Sequence, residues 1–159
     1  MIENFLAVEP GIWRGGQPQS EDWSHIKQLG ITFVLKLDTD VEGSDEAASG
    51  VGLQVIKMPI DWMEQILGEP PHDFLSKTTA IIQTCALPLP DGGIYVHCKH
   101  GQDRTGLIIG AYRVACGWTK QRAYEEMITL GFHPLLRGLC WAWDAVLENT
   151  SASAPKSKL

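Results

Sequence analysis

The segment from Ile94 to Ala115 constrains this chain most. Ile94-Tyr95-Val96 is followed by His97-Cys98-Lys99-His100-Gly101-Gln102-Asp103-Arg104-Thr105-Gly106, and then by an apolar run that continues to Ala115. A short apolar run bounded by turn residues predicts a buried strand, and the longer run after it a buried helix starting near Arg104. A helix N-terminus placed at the end of a strand offers unpaired backbone N–H groups and the positive end of a dipole. Gly101 and Gly106 let the backbone between them curl, so that successive N–H groups face inward and form a nest for a tetrahedral dianion. Arg104 adds a planar, two-pronged donor matched to phosphate oxygens. Cys98 stands at the start of the loop with five residues between it and Arg104, which places its sulfur at the floor of the nest. The same positive field favours the thiolate, so Cys98 reads as a nucleophile that needs no base. Thr105 can donate a hydroxyl hydrogen bond to that sulfur. His97 is expected to order the loop through hydrogen bonds.

Other chemistries fit these ten residues less well. Gly101 and Gly106 have the spacing of an ATP-binding loop, but Leu107-Ile108 follows where Lys and Ser or Thr are required. His97, Cys98 and His100 lack a second cluster at zinc spacing, so no metal is expected. A purely structural turn has no need of Cys, Arg and Thr in this order.

The rest of the chain alternates between strand and helix patterns. A short strand at Gly11–Arg14 closes in the turn Gly15-Gly16-Gln17-Pro18. Ser20 is a candidate N-cap for a helix that runs to Gln28-Leu29 and stops at Gly30. Ile31–Leu37 reads as a buried strand, residues 38–52 as an acidic loop and Leu53–Met58 as a second strand. Residues 59–71 form a loop carrying Asp61, followed by a helix from about His72 to Cys85. Thr119 caps a helix that ends near Gly131, and a last helix covers about residues 138–149. This order predicts an α/β domain with a central, largely parallel sheet and helices on both faces. In such sheets ligands bind beyond the carboxyl ends of the strands, and the loop after Val96 lies there.

Composition narrows the class. The chain has 159 residues, 44% of them hydrophobic, enough for one domain with a real core. We read residues 1–149 as that single domain and 150–159 as a flexible tail. A net charge of −6 argues against a nucleic-acid partner. No signal peptide or membrane span is visible, so no membrane partner is expected and a cytoplasmic location is. Cys85, Cys98, Cys116 and Cys140 form no C-x-x-C pair, and the other three sit in apolar surroundings, which points to a reducing compartment rather than a disulfide scaffold. Asn149-Thr150-Ser151 matches a glycosylation acceptor, and Ser157-Lys158-Leu159 spells a peroxisomal address. Both are read as chance matches, the first for want of a secretory context.

Residues 97–106 resemble the His-Cys-x5-Arg-Thr/Ser signature of the protein tyrosine phosphatase superfamily, with the nearest likeness to small bacterial dual-specificity-like members. Trp13-Arg14-Gly15-Gly16-Gln17-Pro18, the Ile31–Leu37 strand and Gly131-Phe132-His133-Pro134 extend the resemblance over about residues 10–148. It implies a dual-specificity-phosphatase-like fold and a metal- and cofactor-independent phosphoric monoester hydrolase. Cys98 would form a phosphocysteine. Arg104 and the loop N–H groups would hold the transferring group. Thr105 would help the thiolate leave when water hydrolyses the intermediate. His97, Lys99, His100, Gly101, Gln102 and Asp103 would contact or shape the bound phosphate.

The family also uses an aspartic acid on a loop after an earlier strand to protonate the leaving oxygen. Asp61 fits best; Asp73 stands where a helix should begin, and Asp38 and Asp40 come a strand too early. Asp103 departs from the small residue common at its position and reads as a brace for Arg104 or the loop, or as an aid in placing water. Lys99 and His100 add positive charge inside the loop, with Arg14, Lys36, Lys57, His133 and Arg137 as a possible basic rim. Trp62 and Phe132 are candidates for an aryl pocket, although core packing explains them too. The sequence thus points to a phosphorylated small molecule, such as an inositol polyphosphate, slightly ahead of a phosphoprotein, handled by a monomer. A non-catalytic phosphate binder would lack Cys98, Arg104 or the acid, and a sulfurtransferase would not need Arg104-Thr105-Gly106 leading into a helix.

Overall fold

The computed structural model describes residues 1–66, 68, 73–86 and 92–148. The expectations for the end of the 59–71 loop, for His72, for the Asn149 acceptor, for the tail and for its Ser157-Lys158-Leu159 ending lie outside these residues. Five strands and seven helices are described: β1 (Leu6–Glu9), β2 (Ile12–Gly15), α1 (Asp22–Gln28), β3 (Phe33–Lys36), α2 (Glu46–Gly50), β4 (Gln54–Lys57), α3 (Trp62–Ile66), α4 (Phe74–Cys85), β5 (Ile94–His97), α5 (Asp103–Ala115), α6 (Lys120–Thr129) and α7 (Arg137–Asp144).

Five elements differ from the sequence reading. β1 was not expected; it forms a hairpin with β2 across Pro10-Gly11, the residues favoured at the centre of a type II turn. α2 and α3 are short helices inside stretches read as loops. Ser20 does not cap α1, whose N-cap is Glu21 without a side-chain bond. α7 ends at Asp144, before the expected 149. The Thr119 cap is present, its hydroxyl accepting the Arg122 N–H at 3.2 Å.

The sheet runs in the order β1-β2-β5-β3-β4. Only the β1–β2 pair is antiparallel; β2–β5, β5–β3 and β3–β4 are parallel. Side chains alternate between the two faces of each strand. Ile12, Leu35, Ile94 and Val96 join the larger cluster, with Phe74, Ile82, Leu107, Ile108, Met127 and Trp143 from α4 to α7. Val34 and Tyr95 join the smaller one, with Trp23 and Ile26 of α1 and Ala48 of α2. Helices therefore cover both faces, as expected. β5 is buried along its whole length between β2 and β3. Gly15, His97 and Lys36 stand level at the carboxyl edge of these three strands, and the site is built on that edge. Among the described residues no helix is long and apolar enough to cross a membrane.

Candidate active site

Cys98 is the first residue after β5, on the face that carries Ile94 and Val96, and is 2% exposed. α5 starts five residues later, at Asp103. Helix geometry leaves the N–H groups of its first turn without intrahelical partners, so they face the loop they close. Thr105, in that turn and fully buried, donates its hydroxyl to the Cys98 sulfur at 3.1 Å, as the sequence suggested.

The loop keeps its shape by packing on the turn after β2. The Gln17 N–H donates to the Lys99 carbonyl at 3.0 Å, and the Gly16 N–H to the Glu3 carbonyl at 2.8 Å. Tyr95 donates its hydroxyl to the Gly16 carbonyl at 2.5 Å. Gly101 has φ +72°, and a β-carbon there would lie 2.6 Å from the Gly15 carbonyl oxygen and 2.7 Å from the Gly16 nitrogen. The Trp13-to-Pro18 stretch is thus the seat of the loop.

Arg104, 4% exposed, turns its guanidinium to two other segments. Nη1 donates to Glu42 Oε2 and to the Ile60 carbonyl, both at 2.8 Å, and Nη2 to Glu42 Oε1 at 2.7 Å. Nε is buried and unpartnered. Glu42 thus fixes the Nη side of the guanidinium plane. Burial lowers the affinity of Arg104 for its proton, but the Glu42 hydrogen bonds and the charges of Cys98 and Glu42 outweigh it and raise the pKa. Burial pushes the Glu42 carboxyl up; the opposing bonds from Arg104 and Thr39 hold it at about 2. Glu42 is itself anchored by a buried lysine, because Lys36 Nζ donates to the neighbouring Gly43 carbonyl at 2.8 Å, to Asp38 Oδ1 at 2.5 Å and to Gln17 Oε1 at 3.1 Å.

Glu42 was not anticipated, since nothing near it in the sequence marks a partner 62 residues away. Removing its charge by Glu42→Gln should leave Arg104 less firmly aimed and lower kcat/KM on an aryl phosphate about tenfold, the usual effect of losing an orienting partner. The pair also has a pH signature. The pKa of Glu42 is lowered in the fold, so its stabilisation is complete above the ordinary value of 4.5 and is lost as pH falls through about 2. The difference in Tm between the native chain and Glu42→Gln should therefore narrow between pH 5 and pH 2.5.

The remaining candidates divide. His97 is fully buried, with Nε2 2.7 Å from Asp45 Oδ2 and its ring stacked on Tyr95; it supports the loop from the opposite face of the sheet and does not line it. Lys99 and His100 are exposed, with His100 Nδ1 3.1 Å from Glu3 Oε2. His97 and His100 therefore diverge, and among the described residues no His, Cys, Asp or Glu cluster is arranged to hold a metal ion. Asp103 braces the loop rather than Arg104: its Oδ1 accepts the His133 N–H at 2.7 Å and lies 2.9 Å from His133 Nδ1. Gln102 packs against Gly131 and stands at the N-cap of α5.

Asp61 is exposed and directly follows the carbonyl that Arg104 holds. Its Oδ1 accepts the Glu64 N–H at 2.8 Å, and Glu64 Oε2 accepts the Asp61 N–H at 2.9 Å, a reciprocal cap on α3. The basic rim needs correction. Arg14 and Lys36 are buried, Lys57 pairs with Asp40 at 2.8 Å, and His133 is engaged by Asp103. Phe132 belongs to the core, whereas Trp62 is 61% exposed beside Asp61.

A family model described as "Tyrosine phosphatase family" matches residues 1–132. The chain is 25% identical over 125 residues to inositol diphosphatase DSP4 of Arabidopsis thaliana, covering 77% of this chain and 61% of that protein. It is 26% identical over 133 residues to the dual specificity protein phosphatase TpbA of Pseudomonas aeruginosa, covering 81% and 55%. The chain thus spans about three fifths of the length of these curated relatives. The fold matches the crystal structure of P. aeruginosa TpbA with a TM-score of 0.71 at 24% identity, over 89% of this chain and 84% of that one. It matches the Siw14 catalytic core with 0.74 at 19% identity, over 96% and 89%.

Proposed function

The chain belongs to the tyrosine phosphatase family, and on that premise we propose that it hydrolyses phosphomonoesters through a phosphocysteine on Cys98, without a metal ion or cofactor. The observation that carries this reading is the set Cys98, Thr105 and Arg104 around the N-terminus of α5, with Thr105 bonded to the sulfur and the Arg104 Nε edge unpartnered. The Cys98 sulfur attacks phosphorus while the bond to the ester oxygen breaks, and Asp61 gives that oxygen its proton. Arg104 and the loop N–H groups hold the equatorial oxygens. Water then attacks the phosphocysteine and yields its proton to Asp61. The sulfur leaves as a thiolate held by Thr105, and inorganic phosphate departs. For Asp61 to act, its carboxyl must exchange the Glu64 N–H for the leaving group.

We place polyanionic small molecules of the inositol polyphosphate kind first among substrates. Lys99 is exposed within the loop, and the plant relatives are named inositol diphosphatases. A phosphoprotein is the second reading; Trp62, exposed next to Asp61, suits an aryl leaving group, and TpbA is named a dual specificity protein phosphatase.

The test is phosphate release from an aryl phosphate, inositol hexakisphosphate and phosphopeptides. We expect turnover of the aryl ester that vanadate blocks and a chelator leaves unchanged, and faster release from the inositol phosphate than from the peptides. Loss of activity with the chelator would overturn the mechanism. Faster peptide turnover would reverse the substrate order. Asp61→Asn should slow poor leaving groups by about 10²-fold or more and activated aryl phosphates much less; equal losses on both would remove Asp61 from the acid's role.

A further inference from the structure

Arg14 lies on β2 opposite Val96, two residues before Cys98 on the neighbouring strand. Ile12 and Val96 point into the same cluster as Cys98, so by strand alternation Arg14 shares that face. Strand spacing and rise put the Arg14 and Cys98 Cα atoms roughly 8 Å apart. From there the side chain passes beneath the loop. Nη2 donates to the Gly101 carbonyl at 3.0 Å and lies 3.8 Å from the position a β-carbon on Gly106 would take. The guanidinium is thus held between the underside of the loop and the first turn of α5.

This is an expensive place for a cation. Arg14 is 1% exposed, and its Nε and Nη1 are buried without a hydrogen-bond partner. The positive end of the α5 dipole repels it. The nearby Glu126 is committed to Arg113, at 3.1 Å from both Nε and Nη2. Cavities of about 200 and 310 Å³ adjoin Arg14, but its two unpartnered nitrogens are closed to solvent, so a ligand there would not reach them. The anion that repays this charge must come from the loop itself. Burial lowers the affinity of Arg14 for its proton, and Cys98 is the foremost group opposing that effect.

We propose that Arg14 is a positioning residue for the phosphate loop, holding the Gly101 carbonyl outward and setting an unsolvated positive charge behind the Cys98 sulfur. It acts through Cys98 and touches no substrate, and the inference rests on Cys98 being the nucleophile. Among the described residues, Arg104 from α5 is the other cation that interacts with Cys98, and the neutral Tyr95 phenol of β5 also faces its charge.

The experiment is the rate of iodoacetamide alkylation at Cys98, located by mass spectrometry, for the native chain, Arg14→Met and Arg14→Lys between pH 5 and pH 9. With the charge gone, alkylation at pH 6 should fall about tenfold and converge with the native rate at high pH, because losing a nearby opposite charge disfavours the ionised nucleophile. Arg14→Lys should stay within about twofold of native. The Tm of Arg14→Met should hold or rise, because a poorly paired buried cation has been removed. A folded Arg14→Met whose pH profile overlies the native one would overturn the proposal. If Arg14→Met fails to fold, Arg14→Lys decides: a tenfold fall with the charge retained would overturn it, and a near-native rate would support it. If Cys98 of the native chain is not alkylated below pH 8, the nucleophile assignment fails, and the inference with it.

Discussion

Changing Cys98 to serine should abolish hydrolysis of an aryl phosphate, by about 10⁴-fold or more, while leaving phosphate binding nearly intact. A serine hydroxyl keeps its proton near neutral pH and needs a base to lose it. Neither of the buried acceptors behind the loop supplies one. His97 is fully buried, with Nε2 committed to Asp45. Asp45 is held below its ordinary value because His97, Gln17 and Lys36 together outweigh its burial, which makes it a poor proton acceptor. The binding elements do not depend on sulfur: the loop N–H groups, Arg104 and the seat of the loop on Gly15-Gly16 all remain. Calorimetric titration with inorganic phosphate should therefore give a Kd within a few-fold of native for Cys98→Ser, beside a rate at background. A residual rate within tenfold of native would show that another group attacks phosphorus.

Gly101→Ala should be nearly as damaging, for a reason of shape. A non-glycine residue at φ +72° costs about 1–2 kcal/mol in backbone strain. Here the added carbon also meets the backbone of Gly15 and Gly16, which are part of a central strand and its turn and cannot swing aside as a side chain would. The loop must lift, and the N–H groups lose their common focus. A misplacement of about 1 Å at a reacting centre costs on the order of 10²-fold, so kcat/KM should fall by at least that much, with a lower Tm. Gly117→Ala is the control. Gly117 has φ +99° with nothing within 4 Å of the added carbon, so that variant should lose some stability and keep its activity.

The sequence made legible those parts of the site that lie close together along the chain. Cys98, Gly101, Arg104 and Thr105 fall within eight consecutive residues, and their mutual geometry follows from a strand, a tight loop and a helix start. It missed what arrives from far along the chain. Glu42 is an ordinary acid in an acidic loop until β3 and Lys36 bring it to Arg104. Arg14 looks like a surface cation in a short strand, and only the pairing of β2 with β5 shows that it lies under the loop. Asp103 was read as a brace for Arg104 or the loop, or as an aid in placing water, and its partner in the structure, His133, is 30 residues on. In the fold, the order of strands and helices was legible because buried parallel strands read as unbroken apolar runs. β1 was not, since Leu6-Ala7-Val8-Glu9 is half exposed at an edge, although Pro10-Gly11 marked its turn.

The position of β5 carries a consequence for how the molecule comes together. Among the described residues it is the last strand along the chain, it is the middle strand of the sheet, and its register joins Ile12 to Ile94 across 82 residues. Until it arrives, the β1–β2 hairpin and the β3–β4 pair have no direct connection, and each presents an open edge to other chains. Such distant pairings form slowly, and a nascent or refolding chain is most exposed to aggregation in that interval. Since the residue after β5 is Cys98, recovery of phosphatase turnover should report on the closing of the sheet itself and trail the return of helical signal during refolding.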